Sequence, residues 1–338
     1  MTFNINSRRY LGNKYKLLSF IRKVVDENCK DINVVCDIFS GTGSVASAFI
    51  DKQLIVNDMM YSNYLAALAW FSAEQVDIDK LQGILDMVNT RDYSGENNYM
   101  SQNFSDTYFS AYTCKKIGWV REEIEKLYKE KKINERERAV LITSLIYAMD
   151  KHAKTCGHYD SFIQNAEHDT DFTIYLPNLN YELSEMNQCF NDDANRLIKE
   201  IQCDLLYLDP PYNSRQYCDA YHLLENVALW SKPEVFGVAR KMDRTSFKSD
   251  YCKTVASSAL EELVCNARCK YILLSYNNTG KKCQIRSNAK ISDDEIMRIL
   301  SMRGKVTVFT TDYKAFTAGK SENNENQERL FLCEIQNL

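Results

Sequence analysis

Residues 34–58 constrain the fold of this chain more than any other stretch. Val34-Val-Cys-Asp-Ile-Phe39 is a short β-rich run that stops at Ser40-Gly41-Thr42-Gly43, and small residues then alternate with apolar ones from Ser44 to Ile50. That order predicts a strand handing over to a helix through a glycine turn. A second strand, Leu54-Ile-Val56, runs into Asn57-Asp58, and a second helix is expected from Tyr61 to Ala73. Gly41 and Gly43 let the backbone turn tightly and let a ligand approach without meeting a Cβ. Asp58 stands where an acid accepts hydrogen bonds from ribose hydroxyls in nucleotide-binding α/β folds. The third glycine of Gly-x-Gly-x-x-Gly is absent, since position 46 is alanine, and no Gly-Lys-Ser/Thr follows to make a phosphate loop. On this unit alone, a nucleoside ligand and a purely structural turn both remain open.

The 338 residues suit two domains, or one large α/β domain carrying an insertion. With 45% hydrophobic and 26% charged residues the composition is that of a globular chain, which excludes disordered and collagenous classes. No apolar run approaches the roughly 20 residues of a bilayer crossing, so no membrane association is expected. Met1 to Arg9 carries no apolar signal core, which argues against secretion. The 12 cysteines are scattered with no Cys-x-x-Cys, and Cys265 and Cys269 are expected to share a helix face. They read as reduced thiols of a cytoplasmic protein, and no metal is expected.

Further along, the pattern changes at about residue 75. Tyr- and Asn-rich segments at 92–112 accompany two expected helices, 114–130 and 135–150, while 151–180 has no clear period and places His152, His158 and His168 in loop-like surroundings. Strand character returns at Asp204-Leu-Leu-Tyr-Leu208. Further strands are expected at Tyr271–Leu274, Lys305–Phe309 and Leu330–Cys333, with a helix at Asp293–Ser301 and a polar hairpin tip at 320–328. The reading is a catalytic domain from 1–74 and 186–338, interrupted by a largely helical insertion at 75–185.

Asp209-Pro210-Pro211-Tyr212, directly after the apolar strand, narrows the chemistry. Two prolines stiffen the loop and remove two backbone donors. The Pro210 carbonyl and the Asp209 carboxylate then offer two acceptors to the hydrogens of a planar amino group, and Tyr212 offers a flat face for a base. The plainer alternative is a Pro-Pro strand terminator with Asp209 capping the next helix.

Four segments in this order resemble a known family: Tyr10-Leu-Gly12-Asn-Lys14, Asp37-Ile-Phe39-Ser-Gly41-Thr-Gly43, Asn57-Asp58 and Asp209-Pro-Pro-Tyr212. Together they are similar to the Dam-like, alpha-class N6-adenine DNA methyltransferases, over roughly 8–60 and 188–335. The resemblance implies a Rossmann-like α/β fold with a mixed, mostly parallel sheet and a helical target-recognition insertion. It implies S-adenosylmethionine as cofactor, with Gly41 and Gly43 beneath it and Asp58 on its ribose. Asp37 would orient the turn or touch the methionine ammonium, beside Phe39, and Tyr10 and Lys14 would close over the methionine end. Asn191-Asp192-Asp193-Ala194 fits an acidic position that meets the cofactor's adenine amine; either aspartate matches, and Asp193 is preferred. Asp209, Pro210, Pro211 and Tyr212 would hold the target amine, with the adenine flipped out of duplex DNA.

Resemblance also implies a restriction-modification setting, with double-stranded DNA as partner and a cognate restriction endonuclease encoded nearby. The net charge is −4, yet residues 1–30 hold 7 Lys/Arg against 2 Asp/Glu and residues 237–290 hold 11 against 4. Those local excesses suit phosphate binding. Arg8, Arg9, Lys151, His152 and Lys154 are phosphate candidates. Ser214 to Tyr217 continue the active-site loop, Tyr276 and Asn277 are secondary candidates near the base, and His222 reads as a core residue rather than a base. Rival readings are an N4-cytosine or RNA amino-methyltransferase, a non-catalytic nucleic-acid-binding module, and a nucleotide-dependent oxidoreductase, which leaves Asp209-Pro-Pro-Tyr212 unexplained.

Overall fold

A computed structural model describes residues 5, 8–167, 171–180, 182–277, 290–311 and 328–336. His168, Asn278, the Asn277 side chain and all but the last residue of the 320–328 stretch lie outside the described residues. The elements in chain order are α1 (Leu18–Asn28), β1 (Val34–Asp37), α2 (Ser44–Ser47), β2 (Gln53–Asn57), α3 (Tyr61–Phe71), α4 (Ile78–Thr90) and α5 (Tyr99–Phe104). Next come α6 (Ala111–Lys129), α7 (Glu135–His152), β3 (Gln188–Phe190), α8 (Ala194–Leu197), β4 (Leu205–Leu208), α9 (Tyr217–Ala220) and α10 (His222–Leu229). The last are α11 (Ala256–Asn266), β5 (Tyr271–Asn277), α12 (Asp293–Ser301), β6 (Gly304–Thr311) and β7 (Glu328–Ile335).

Two compact units result. One spans 14–59, 186–217 and 247–338 and contains the sheet, in the order β3-β2-β1-β4-β5-β7-β6. The pairs from β3 to β5 are parallel, and β7 runs antiparallel to both β5 and β6. This is a Rossmann-like mixed sheet. Val35, Cys36, Leu205, Leu206, Leu208, Ile272, Leu273 and Leu274 are fully buried, as expected of central parallel strands that read as unbroken apolar runs. Leu197 of α8, Leu260 and Leu263 of α11 and Ile296 and Ile299 of α12 join Leu206, Leu208, Ile272 and Leu274 in one core cluster. Each such side chain contributes about 1.5–3 kcal/mol by leaving water. From β1 the order steps one way to β2 and β3, and from β4 the other way to β5. The carboxyl ends of β1 and β4, with Asp37 opposite Tyr207, therefore flank a topological switch point, where open α/β sheets bind ligands.

The other unit spans 1–13, 60–185 and 218–246. Its extent differs from the 75–185 segment because α3 and α10 belong to it. Trp70 of α3 meets Tyr147 of α7 edge-on at 6.1 Å, and the buried Glu225 carboxylate of α10 accepts the Tyr61 and Ser62 N–H groups at 2.7 and 3.0 Å. A carboxylate there satisfies donors that the first turn of α3 leaves open.

Several expectations need correction. The helix after the glycine turn is a single turn, and Arg22 donates to the Ala48 carbonyl just past its end. An unexpected helix, α4, is capped by Asp77 and buries only Leu81, Leu85 and Val88, a narrow stripe, with Gly83 on its exposed face. His152 ends α7 rather than lying in a loop. Cys265 is exposed in α11 while Cys269 is buried beyond the helix end, so the two do not share a helix face.

Candidate active site

The sheet-bearing unit assembles its polar groups around the switch point. Gly43 N–H closes the turn on the Ser40 carbonyl at 2.8 Å, and Gly41 N–H donates to Asp58 Oδ2 at 2.8 Å. Gly41 and Gly43 have φ of 53° and 79°, the left-handed region that costs other residues most. Asn57 supports the turn from β2 through the Ile38 carbonyl at 3.0 Å. Asp37 closes β1. Its Oδ2 accepts the Ala46 N–H at 3.2 Å, whereas its buried Oδ1 has no hydrogen-bond partner among the described residues. Burial first, and then the nearby negative charge of Asp209, push the Asp37 carboxyl up to about 8.

Asp209 follows β4 and ion-pairs with Lys14 Nζ at 2.9 Å; the two side chains are 17% and 6% exposed, so the pair is largely desolvated. No helix begins until Tyr217, which removes the helix-capping alternative for Asp209. Pro210 is buried, and its carbonyl accepts no hydrogen bond among the described residues. Tyr212 is half-buried with its ring edge-on to the buried Tyr276 at 6.0 Å, and the Tyr276 hydroxyl accepts the Ile291 N–H at 3.2 Å. Gln216 pins the same loop by exchanging two hydrogen bonds with the Ser249 backbone, at 2.8 and 3.0 Å. That tether was not legible, because its ends lie 33 residues apart without a pattern. Ser214 and Arg215 are exposed.

Phe39 packs edge-on to Tyr251 at 5.0 Å. Asp193 is the N-cap of α8, its Oδ1 accepting the Asn195 and Arg196 N–H groups at 3.0 and 3.1 Å. Asp192 binds Arg196 Nε at 2.7 Å through Oδ1.

The remaining candidates lie in the other unit. The Tyr10 hydroxyl accepts from Asn63 Nδ2 at 2.9 Å, and its ring stacks on Tyr221 at 4.5 Å with 14° between planes. Tyr221 in turn accepts the Leu11 N–H at 2.7 Å. Arg8, buried, lies 5.0 Å from the Tyr10 ring and 3.7 Å from Asp150. Burial, offset by Arg8, raises the Asp150 carboxyl to about 6. Arg8, Arg9, Asp150, Lys151 and Tyr175 help to line a cavity of about 370 Å³ with three cations to one acid. His152 lies against Phe172 at 5.4 Å. His222 is fully buried, its Nε2 2.8 Å from the Tyr159 carbonyl, and burial pushes it down to about 4, so it serves the core as a neutral ring.

The sequence model of the D12 class N6 adenine-specific DNA methyltransferases matches residues 10–282. This chain belongs to that family. The match runs from Tyr10, through the glycine turn and the Asp209 loop, to beyond β5. Among characterised proteins the chain is similar to the modification methylase StsI of Streptococcus sanguinis, 32% identical over 96% of this chain and 52% of that protein. It is 33% identical to the Type II methyltransferase M.NlaIII of Neisseria lactamica over 94% of this chain and 95% of that protein. It is 30% identical to the Type II methyltransferase M.FokI of Planomicrobium okeanokoites over 96% of this chain. The chain spans about half the length of StsI and M.FokI.

Proposed function

We propose that this chain transfers a methyl group from S-adenosylmethionine to N6 of an adenine in double-stranded DNA, at a specific site and within a Type II restriction-modification system. The observation that carries this reading is the pair of acceptors, Asp209 and the Pro210 carbonyl, on a stiff loop at the switch point. Membership in the family supports it. The cofactor fits the residues present, since a buried carboxylate oxygen without a donor suits a cationic group. Asp37 would meet its methionine ammonium, Gly41 and Gly43 would pass beneath it, and Asp58 would hold its ribose. Phe39 would face its adenine ring. Asp193, through the oxygen that does not cap α8, would meet its adenine amine. The resemblance assigns Tyr10 to its methionine end. When bound, the cofactor supplies an electrophilic methyl on sulfonium.

The protein's own groups act on the amine. The N6 lone pair of adenine is delocalised into the ring, so the nitrogen is a weak nucleophile. Asp209 and the Pro210 carbonyl accept its two hydrogens and favour a tetrahedral nitrogen with its lone pair aimed at the methyl. These bonds strengthen as positive charge grows on N6, so they stabilise the transition state more than the ground state. Holding nitrogen in line with the methyl supplies further rate, and the proton that N6 must lose once methylated would pass to the Asp209 carboxylate, which is 17% exposed, and on to solvent. Tyr212 stacks on the flipped base. Residues 75–185 carry target recognition, and Arg8, Arg9 and Lys151 bind phosphate around the basic cavity. Among the described residues no helix is long and apolar enough to cross a membrane, and a cytoplasmic setting with a cognate nuclease fits this activity.

Transfer of labelled methyl to unmethylated genomic DNA, followed by nucleoside digestion, tests the reading. N6-methyladenine is expected; N4-methylcytosine, or label only in RNA, sinks it. A second measurement concerns Asp37. With its carboxyl near 8, only about a tenth is ionised at pH 7, and the cofactor's α-amine loses its own proton at about 7.7–8.0, so cofactor affinity should peak near pH 8, about twofold above its values at pH 7 and pH 9. Binding at pH 7 should release close to one proton, read by calorimetry in buffers of different ionisation heat. Asp37→Asn removes this contribution and leaves only that of the cofactor's own amine.

A further inference from the structure

A single helical turn of the sheet-bearing unit, Asp250–Cys252, has no role in the reading above, although its neighbours do. Tyr251 and Cys252 are buried. On one side the Tyr251 ring meets Phe39 edge-on at 5.0 Å, and its hydroxyl donates to Asn195 Oδ1 at 2.7 Å. Asn195 is itself held, because its Nδ2 donates to the Ala259 carbonyl at 2.9 Å and its backbone N–H to Asp193 Oδ1 at 3.0 Å. On the other side Cys252 Sγ donates to the Arg215 carbonyl at 3.4 Å. Ser249 caps the turn by accepting the Tyr251 N–H at 3.2 Å, and Ser249 is also the residue that Gln216 grips through both backbone groups.

One buried turn therefore touches two places of different use. Phe39, and Asp193 beside Asn195, are the residues given above to the cofactor's adenine. Arg215 and Gln216 end the loop that carries Asp209 and Pro210. From Asp209 to Gln216 the chain is neither helix nor strand, and the two prolines stiffen only its start. Its far end takes its position from Ser249 and Cys252. Close-packed interiors transmit small displacements, so the buried Tyr251 cannot shift without moving Phe39, Asn195 or the backbone that Gln216 holds.

We propose that Tyr251 and Gln216 are positioning residues that tie the loop after the amine clamp to the seat of the cofactor's adenine, so that filling the seat tightens residues 213–217. This rests on the adenine-methylation reading above. Order gained when the cofactor binds is then already in place when the target amine arrives. The test is amide hydrogen exchange at 213–217 in the full chain, with and without saturating S-adenosylmethionine, beside the single-turnover methylation rate on unmethylated genomic DNA. The cofactor should slow exchange there at least about fivefold. Gln216→Ala removes both bonds to Ser249, so the slowing should fall below about twofold with cofactor still bound, and the rate about tenfold. Tyr251→Phe, which keeps the ring on Phe39 and loses the bond to Asn195, should lower the slowing as well. A merely structural tether would speed exchange equally with and without cofactor. A cofactor-dependent ratio that either variant leaves unchanged therefore overturns the proposal. So does the absence of slowing in an unsubstituted chain that binds cofactor and methylates adenine, and in both cases the activity reading stands. Failure of the unsubstituted chain to methylate adenine overturns the activity reading and the positioning role with it.

Discussion

Asp209→Ala should lower the single-turnover methyl-transfer rate about 10³-fold while changing the cofactor dissociation constant by less than about threefold. A preorganised partner of developing charge is worth about 3–4 kcal/mol in the transition state when removed, and Asp209 is the anionic half of the proposed amine clamp. The substitution also strands Lys14, which is 6% exposed and 2.9 Å from the lost carboxylate. Breaking a buried pair from one side costs about 3–5 kcal/mol, so a lower melting temperature is expected as well. Asp209→Asn separates the two effects. Its amide keeps the shape and one acceptor but no charge, so it should retain more stability than alanine and still lose most of the rate. A variant rate within tenfold of the parent chain, with normal folding, would remove Asp209 from the clamp.

How far the sequence foretells this site depends on how local each feature is. The glycine turn and Asp58 lie within one strand-turn-helix-strand unit, and Gly41 N–H does bond Asp58 Oδ2. Local periodicity also placed β4 directly before Asp209, and β5 and α12 within a few residues of their bounds. Pairings across long separations were not legible. Lys14 and Asp209 are 195 positions apart, and nothing in either segment announces an ion pair. Glu225 caps α3 from 163 and 164 residues away, so the sequence offers no reason to group α3 with α10. Helix α4 is faint in the sequence because only three of its 13 positions are buried. The acid pair at 192–193 shows the reverse case: the residues were visible, but their use depends on which one caps α8, and that role falls to Asp193.

The Lys14–Asp209 pair gives the second large effect. Sequence resemblance assigns Lys14 to the cofactor's carboxylate, whereas its ammonium here lies on the Asp209 carboxylate. The two roles predict different kinetics for Lys14→Met. If Lys14 holds Asp209, removing the cation makes that carboxylate easier to protonate, and a protonated acid no longer accepts both orientation and charge from N6. Chemistry should then slow about 10²-fold at neutral pH, equivalent to about 2.7 kcal/mol, with cofactor KM little changed. The deficit should shrink as pH rises, because deprotonation restores the acceptor, so the acid limb of the rate profile moves upward. Lys14→Arg, which keeps the charge, should leave that limb in place. If Lys14 serves only the cofactor, KM rises, kcat holds, and the pH profile does not move; that outcome would remove Lys14 from the positioning of Asp209.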